Sequence, residues 1–132
     1  MTYVDTSLVL AEVLAETVRP PSSFWTAPDL SSSRLTEYEA WVRLHAYGKV
    51  GTHGRSLALV LERLHLVELS DEACSRVRTP FPLPVRTLDA LHLSCADFLR
   101  AQGFVVDVAT LDSRMASVAD AMGFRLTPVA SA

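Results

Sequence analysis

Little in this chain is sulfur-bearing or membrane-like, and lysine is nearly missing from it. It holds one lysine, Lys49, and two cysteines, Cys74 and Cys95, among 132 residues. No apolar run approaches the ~20 residues that span a bilayer, so a helical membrane protein is not expected. The first residues lack the basic start and long apolar core of a signal peptide, and the expectation is a cytoplasmic protein. The cysteines stand in unlike surroundings and fit buried thiols in a reducing compartment. No His and Cys residues show the spacing of a zinc site. With no repeat, low-complexity tract or interdomain linker, residues 1–132 read as one domain.

What is present is apolar and mildly acidic. Apolar residues make up 49% of the chain, enough for a sizeable core and too many for a disordered one. The net charge of −3 argues weakly against a nucleic-acid partner. That argument loses force if several acids hold a divalent ion, which returns two positive charges. Charge alone therefore leaves the partner open.

Residues 2–5 read as a buried strand and 6–18 as a helix closed by Arg19-Pro20-Pro21. Residues 20–33 read mostly as loop, anchored on the core by Phe24 and Trp25, with a short second strand over Asp29–Ser33. From Arg34 a helix carries Leu35, Tyr38, Val42 and Ala46 on one stripe and stops at Gly48. Gly51-Thr52-His53-Gly54 reads as a turn before a helix bearing Leu57, Val60, Leu61 and Leu64, so these two helices are expected to form a hairpin projecting from the sheet. His65–Leu69 alternates like a third strand, and Ser70 suits the N-cap of a short helix. Pro80, Pro82 and Pro84 forbid regular structure in the next loop. Residues 86–102 follow as a helix with Leu88, Leu91, Cys95 and Leu99 inward, ended by Gly103. A strand over 104–111, a helix over 112–122 and a last strand over 125–129 complete the chain. Strands alternating with helices imply an α/β fold with a small, mostly parallel, helix-covered sheet.

Two acids stand directly after apolar strands: Asp5, after Thr2-Tyr3-Val4, and Asp112, after the segment ending in Thr110-Leu111. In a parallel sheet both strand ends open on the edge where such sheets bind ligands, although Asp at a strand-to-helix junction is also a favoured N-cap. Glu39 lies on the flank of its helix's apolar stripe and needs a partner there; Arg43, four residues on, is one choice and a metal is another. Asp89 occupies the first turn of its helix, where the dipole favours an anion, and shares a face with His92. His92 fits a packed core histidine better than a ligand. Thr87 and Thr110 suit helix capping or a hydrogen bond to a metal-bound water. A site built only of carboxylates favours Mg²⁺ or Mn²⁺, and the chemistry it supports is phosphodiester hydrolysis.

Four segments carry a family likeness. They are Tyr3-Val4-Asp5-Thr6-Ser7, Ser33-Arg34-Leu35-Thr36-Glu37-Tyr38-Glu39, Arg86-Thr87-Leu88-Asp89-Ala90-Leu91-His92-Leu93 and Thr110-Leu111-Asp112-Ser113-Arg114-Met115. In order and spacing they resemble the PIN domain, and more narrowly the VapC-type ribonuclease toxins of type II toxin–antitoxin systems. The resemblance implies a three-layer α/β/α fold and a Mg²⁺- or Mn²⁺-dependent endoribonuclease whose catalytic and metal-binding quartet is Asp5, Glu39, Asp89 and Asp112. It also implies a homodimer and a cognate VapB-like antitoxin that blocks the site. Arg34, Arg43, Arg86 and Arg114 are candidate phosphate contacts to the RNA. The Pro80–Pro84 loop and the acidic balance depart from that picture by leaving no obvious basic track.

A PIN-like module that binds a protein or RNA without cutting is the competing expectation. A phospho-acceptor receiver domain also places acids at strand ends, but it needs paired acids after the first strand and a lysine late in the chain. Lys49 rules that arrangement out.

Overall fold

The computed structural model describes residues 1–129; residues 130–132 of the expected domain lie outside that span. Its elements, in chain order, are β1 (Thr2–Val4), α1 (Thr6–Val13), a 3-10 turn (Ser22–Thr26), β2 (Leu30–Ser33), α2 (Arg34–Ala46), α3 (Val50–Glu62), β3 (His65–Val67), α4 (Asp71–Cys74), a second 3-10 turn (Ser75–Arg78), α5 (Thr87–Ala101), β4 (Asp107–Ala109), α6 (Ser113–Ala121) and β5 (Arg125–Leu126). The five strands form one sheet in the order β3-β2-β1-β4-β5, and all their pairings are parallel. The expected three-layer α/β/α architecture is therefore present, with a sheet that is wholly rather than mostly parallel.

The period of two along β1 divides the core. Val4 faces a cluster with Leu8, Val9, Trp25, Leu30, Leu44, Leu57 and Leu61, which α1, α2 and α3 supply. Tyr3 faces the other cluster, with Leu93, Cys95, Leu99, Val108, Met115 and Phe124, covered by α5 and α6. Trp25 is buried and Phe24 packs partly onto the first cluster, so the expected loop anchors are in place. Both cysteines are free; burial pushes the Cys95 thiol up to about 12, which leaves it an inert core residue.

Several boundaries differ from the sequence expectation, each for a physical reason. Helix α1 ends at Val13, not at Val18, because the chain turns through Ala15 in the left-handed region, with φ of 51°. The segment Gly51–Gly54 is no turn but the first part of α3. Gly54 is there for closeness: a Cβ would meet the Trp41 ring at 3.4 Å, so its absence lets α3 settle against α2. The two helices do not project; α3 packs on α1 and α2 and buries Leu57 and Leu61 over the sheet. In α2 the inward residues are Leu35, Thr36, Ala40 and Leu44, whereas Tyr38 and Val42 are 53% and 66% exposed. Thr36 can face inward because its hydroxyl meets Ser32 Oγ at 2.7 Å, and hydropathy then misreads the face. Leu88 likewise points outward on α5. The strand expected over 104–111 shrinks to 107–109, with Phe104 and Val105 exposed, and the last strand pairs only at Arg125 and Leu126.

Helix stops follow their glycines. Gly103 has φ of 101°, its N–H bonds to the Arg100 carbonyl, and the Phe104 N–H reaches back to Leu99 at 3.3 Å. A Cβ at Gly103 would meet nothing within 4 Å, so only the backbone conformation opposes a side chain there. Gly103→Ala is therefore expected to lower unfolding stability by roughly 1–3 kcal/mol. A urea midpoint equal to that of the wild type, at unchanged slope, would refute this account.

Candidate active site

Strand order fixes where a ligand can enter. From central β1 the chain moves outward through β2 and β3, then crosses back to β4 on the other side of β1. The crevice beyond the carboxyl ends of β1 and β4 is the switch point of the sheet. Asp5 follows β1 and Thr110-Leu111-Asp112 follows β4, so both strand-end acids sit at that crevice.

Asp5 occupies the cap position of α1, yet its carboxylate makes no capping hydrogen bond. It is 4% exposed and held by hydroxyls: Ser7 Oγ donates to Oδ1 at 2.6 Å and Thr110 Oγ1 donates to Oδ2 at 2.6 Å. Those hydroxyls in turn accept the Leu111 and Asp112 N–H groups, each at 3.0 Å, which clamps the β4 loop onto the end of β1. No arginine, lysine or histidine forms an ion pair with Asp5 among the described residues. Burial raises its carboxyl above the ordinary 3.8, and the Ser7 and Thr110 hydrogen bonds offset that rise only in part.

Glu39 is held from two layers. Its Oε1 accepts from Thr6 Oγ1 at 2.8 Å and from His92 Nε2 at 2.6 Å. A carboxylate only accepts, so Nε2 carries the proton of that contact. His92, 3% exposed, sets its Nδ1 3.0 Å from the Tyr3 hydroxyl, which donates to Ser33 Oγ at 2.9 Å. Burial pushes Glu39 up, but the hydrogen bond and charge of His92, the Thr6 hydroxyl and the charge of Arg43 outweigh it and hold Glu39 below its usual range. Glu39 Oε2 has no hydrogen bond among the described residues. Arg43 makes no ion pair with Glu39; its guanidinium reaches the Tyr47 hydroxyl at 3.4 Å.

Asp89, in the first turn of α5, is raised by burial first and then by the negative charges of Asp112 and Glu39, with His92 and Arg86 opposing. Asp112 caps α6: its Oδ1 accepts the Arg114 N–H at 2.9 Å and the Met115 N–H at 3.4 Å. Asp5 and Glu39 are thus held in separate hydrogen-bonded clamps at this edge of the sheet, and Asp89 lies near enough to Asp112 and Glu39 to feel both as like charges. Thr110 neither caps nor stands free; it holds Asp5.

The arginines sort differently. Arg34 is spent on Glu68 at 2.9 Å and Glu37 at 3.4 Å. Arg86 and Arg114 line a cleft of about 340 Å³ with Asp89, Pro84, Val85, Met115 and Val118. The holders Tyr3, Thr6, Ser7 and His92 were not sequence candidates for this role. Ser7, two residues after Asp5, and His92, three after Asp89 on one helical face, carried a spacing signal; Tyr3, buried in a strand, carried none.

A hard divalent ion is tested by these donors in two ways. Their chemistry fits: a buried carboxylate with no cation beside it, and a second whose charged form is disfavoured by two neighbouring acids, are both relieved by such an ion. As they stand, however, no three His, Cys, Asp or Glu side chains among the described residues are arranged to hold a metal ion.

No protein-family model matches the chain, and no curated protein does. Among solved structures it is similar to a chain of "Toxin-antitoxin complex from Klebsiella pneumoniae", with a TM-score of 0.59 and 17% sequence identity over 86% of this chain and 88% of that one. At that identity the likeness establishes a shared fold. No helix among the described residues is long and apolar enough to cross a membrane.

The environment of Asp5 gives a stability prediction with a definite sign. Its folded carboxyl titrates above the ordinary 3.8 of an unfolded chain, so charging it opposes folding as pH rises through that window, and the penalty persists at neutral pH. Asp5→Asn should stabilise the metal-free protein at pH 7 by about 0.5–2 kcal/mol. The gain should vanish below pH 3.8, where the wild-type carboxyl is also neutral. An Asn variant no more stable than wild type at neutral pH would contradict this reading.

Proposed function

We propose that this chain is a metal-dependent endoribonuclease acting as the toxin of a toxin–antitoxin pair, with Asp5, Glu39, Asp89 and Asp112 as its working acids. The observation that carries the proposal is the gathering of four acids from separate segments around the sheet's switch point, where Asp5 is buried without a cation. The fold shared with a chain of a toxin–antitoxin complex supports the module assignment. The partners that follow are an RNA substrate, a VapB-like antitoxin covering the acids and a second copy of this chain.

Asp5 and Asp89 are the residues suited to hold Mg²⁺ or Mn²⁺, with Asp112 beside them. When bound, the ion supplies Lewis acidity toward a phosphoryl oxygen and a more acidic water. The chain's own contribution is positional. Ser7 and Thr110 fix the orientation of the Asp5 carboxylate at the end of β1. Thr6 and His92 fix Glu39 through Oε1 and leave Oε2 free, among the described residues, to accept a hydrogen bond that orients a water. The Asp112 carboxylate stays tied to the start of α6, which fits a contact through water better than a direct one.

A second reading draws on the absence, among the described residues, of three acids already arranged about one point: a PIN-like module that binds RNA or protein without cutting. Asp5→Ala and Asp89→Ala, assayed on RNA with Mg²⁺ or Mn²⁺, separate the two. Each variant is expected to lose at least about a hundredfold in cleavage, and chelation should silence the wild type. Cleavage undiminished in both variants would end the nuclease proposal. A wild type that folds, binds no Mn²⁺ by calorimetry and cuts nothing would establish the binding module.

A further inference from the structure

We propose that the Arg86–Arg114 cleft is the seat of the nucleotide next to the scissile phosphodiester, and that it makes the protein a reader of single-stranded RNA on one side of the acids. The inference rests on the ribonuclease reading for the word scissile; the cleft itself is argued separately.

The cleft holds about 340 Å³ and shares one wall, Asp89, with the acidic edge. Whatever fills it is therefore contiguous with the reacting centre. Arg86, at the N-cap of α5, and Arg114, in the first turn of α6, stand among its lining residues and are exposed. Neither guanidinium has a hydrogen-bond or ion-pair partner among the described residues, in contrast to Arg34, Arg78, Arg100 and Arg125. With Asp89 as the single acid, this lining is net positive in a chain whose net charge is −3. The depression on the other side, lined by Ser7, Glu16, Arg43, Tyr47 and Asp112, has one arginine against two acids. A phosphate therefore favours the Arg86 side.

The floor is apolar. Exposed Pro84 and half-buried Val85 present its surface, with the buried Met115 and Val118 packed beneath, and such a surface accepts the flat face of a base. Two guanidiniums above such a floor match a nucleotide: phosphate between the charges, base beneath, arginine planes free to stack. A duplex cannot present a base in this way, so the ligand is single-stranded.

The start of the proline loop is braced. Arg76 donates to the carbonyls of Thr79 at 2.9 Å and Pro80 at 3.0 Å, and lies 4.4 Å over the Phe81 ring, ahead of the stretch that carries Pro84, Val85 and Arg86 into the cleft.

The test uses the whole chain in Mg²⁺-free buffer with a 5′-phosphorylated RNA trinucleotide of mixed sequence as probe, and inorganic phosphate in parallel. Amide signals of Val85, Arg86, Arg114 and Met115 should shift on titration. The double variant Arg86→Ala, Arg114→Ala, both sites exposed, should weaken trinucleotide binding at least tenfold and flatten its salt dependence. Arg125→Ala, at an exposed arginine paired with Asp107, should leave both unchanged. In RNA cleavage the double variant should raise KM about tenfold with kcat within threefold of wild type. Val85→Ser should weaken the trinucleotide and leave inorganic phosphate alone. A folded double variant that binds the trinucleotide and cleaves RNA like wild type, while Asp5→Ala is inactive, overturns the cleft and spares the nuclease. Shifts confined to phosphate, with no effect of Val85→Ser, overturn the base seat. An Asp5→Ala variant that cleaves normally, with the trinucleotide still bound at these residues, leaves the cleft standing as an RNA site and removes the nuclease assignment.

Discussion

The structure turns on one unfavourable placement: a carboxylate, Asp5, almost wholly buried at the end of the central strand with no ion-pair partner among the described residues. A buried charge of this kind survives only if its oxygens are saturated. Ser7 from α1 and Thr110 from the β4 loop do this, and because their own oxygens accept the Leu111 and Asp112 N–H groups, satisfying Asp5 also fixes the β1–β4 junction. The fold keeps a negative charge where the switch point opens and organises two segments around it.

A second polar chain crosses the molecule from the opposite layer. It runs from Ser33 on β2 through Tyr3 on β1 and His92 on α5 to Glu39 on α2, with Thr6 of α1 closing on the same oxygen. Five elements meet in it, and each member is buried or nearly so. Replacing one end strands the others, so the position of Glu39 is coupled to the packing of both core clusters. This explains why β2 reads Leu30-Ser31-Ser32-Ser33 rather than as an apolar strand: Ser32 donates to the Val4 carbonyl at 2.6 Å and Ser33 receives Tyr3. Polar residues stand in this interior strand because their hydroxyls are engaged by the Val4 carbonyl, Thr36 and Tyr3.

The sequence made much of this legible, and its failures share a cause. Alternating apolar strands and helices gave the layered, parallel α/β reading, and glycines at Gly103 and Gly123 marked the true helix ends. All four acids were visible because each follows a strand or flanks a helix face. Errors arose where a helix packs close. In α2 the inward face is Leu35, Thr36, Ala40 and Leu44, and in α3 Gly54 is a contact with Trp41, so hydropathy set Tyr38 and Val42 inward where they are exposed and cut the second helix short. Close approach selects small residues, and small residues look like surface or turn. The holders were hidden for the opposite reason: Tyr3 and His92 are large, buried and partly apolar, and reveal their polar ends only once the layers are stacked.

The acidic balance of the chain also acquires a local meaning. Arginines are spread through the sequence, but most of those near acids are consumed in pairs: Arg34 with Glu68, Arg78 with Asp71, Arg100 with Asp97, Arg125 with Asp107. Arg86 and Arg114 are left unpaired beside Asp89, among the described residues, and both lie at helix starts that the loops bring to one cleft. Unpaired cations next to a crowded acidic edge are poorly explained by stability, since a partner carboxylate stands within the same lining. On the proposed reading their partner is an anionic ligand that arrives from outside. The proline loop, which in sequence interrupts the four motifs, then supplies Pro84, Val85 and Arg86 to the wall of its seat.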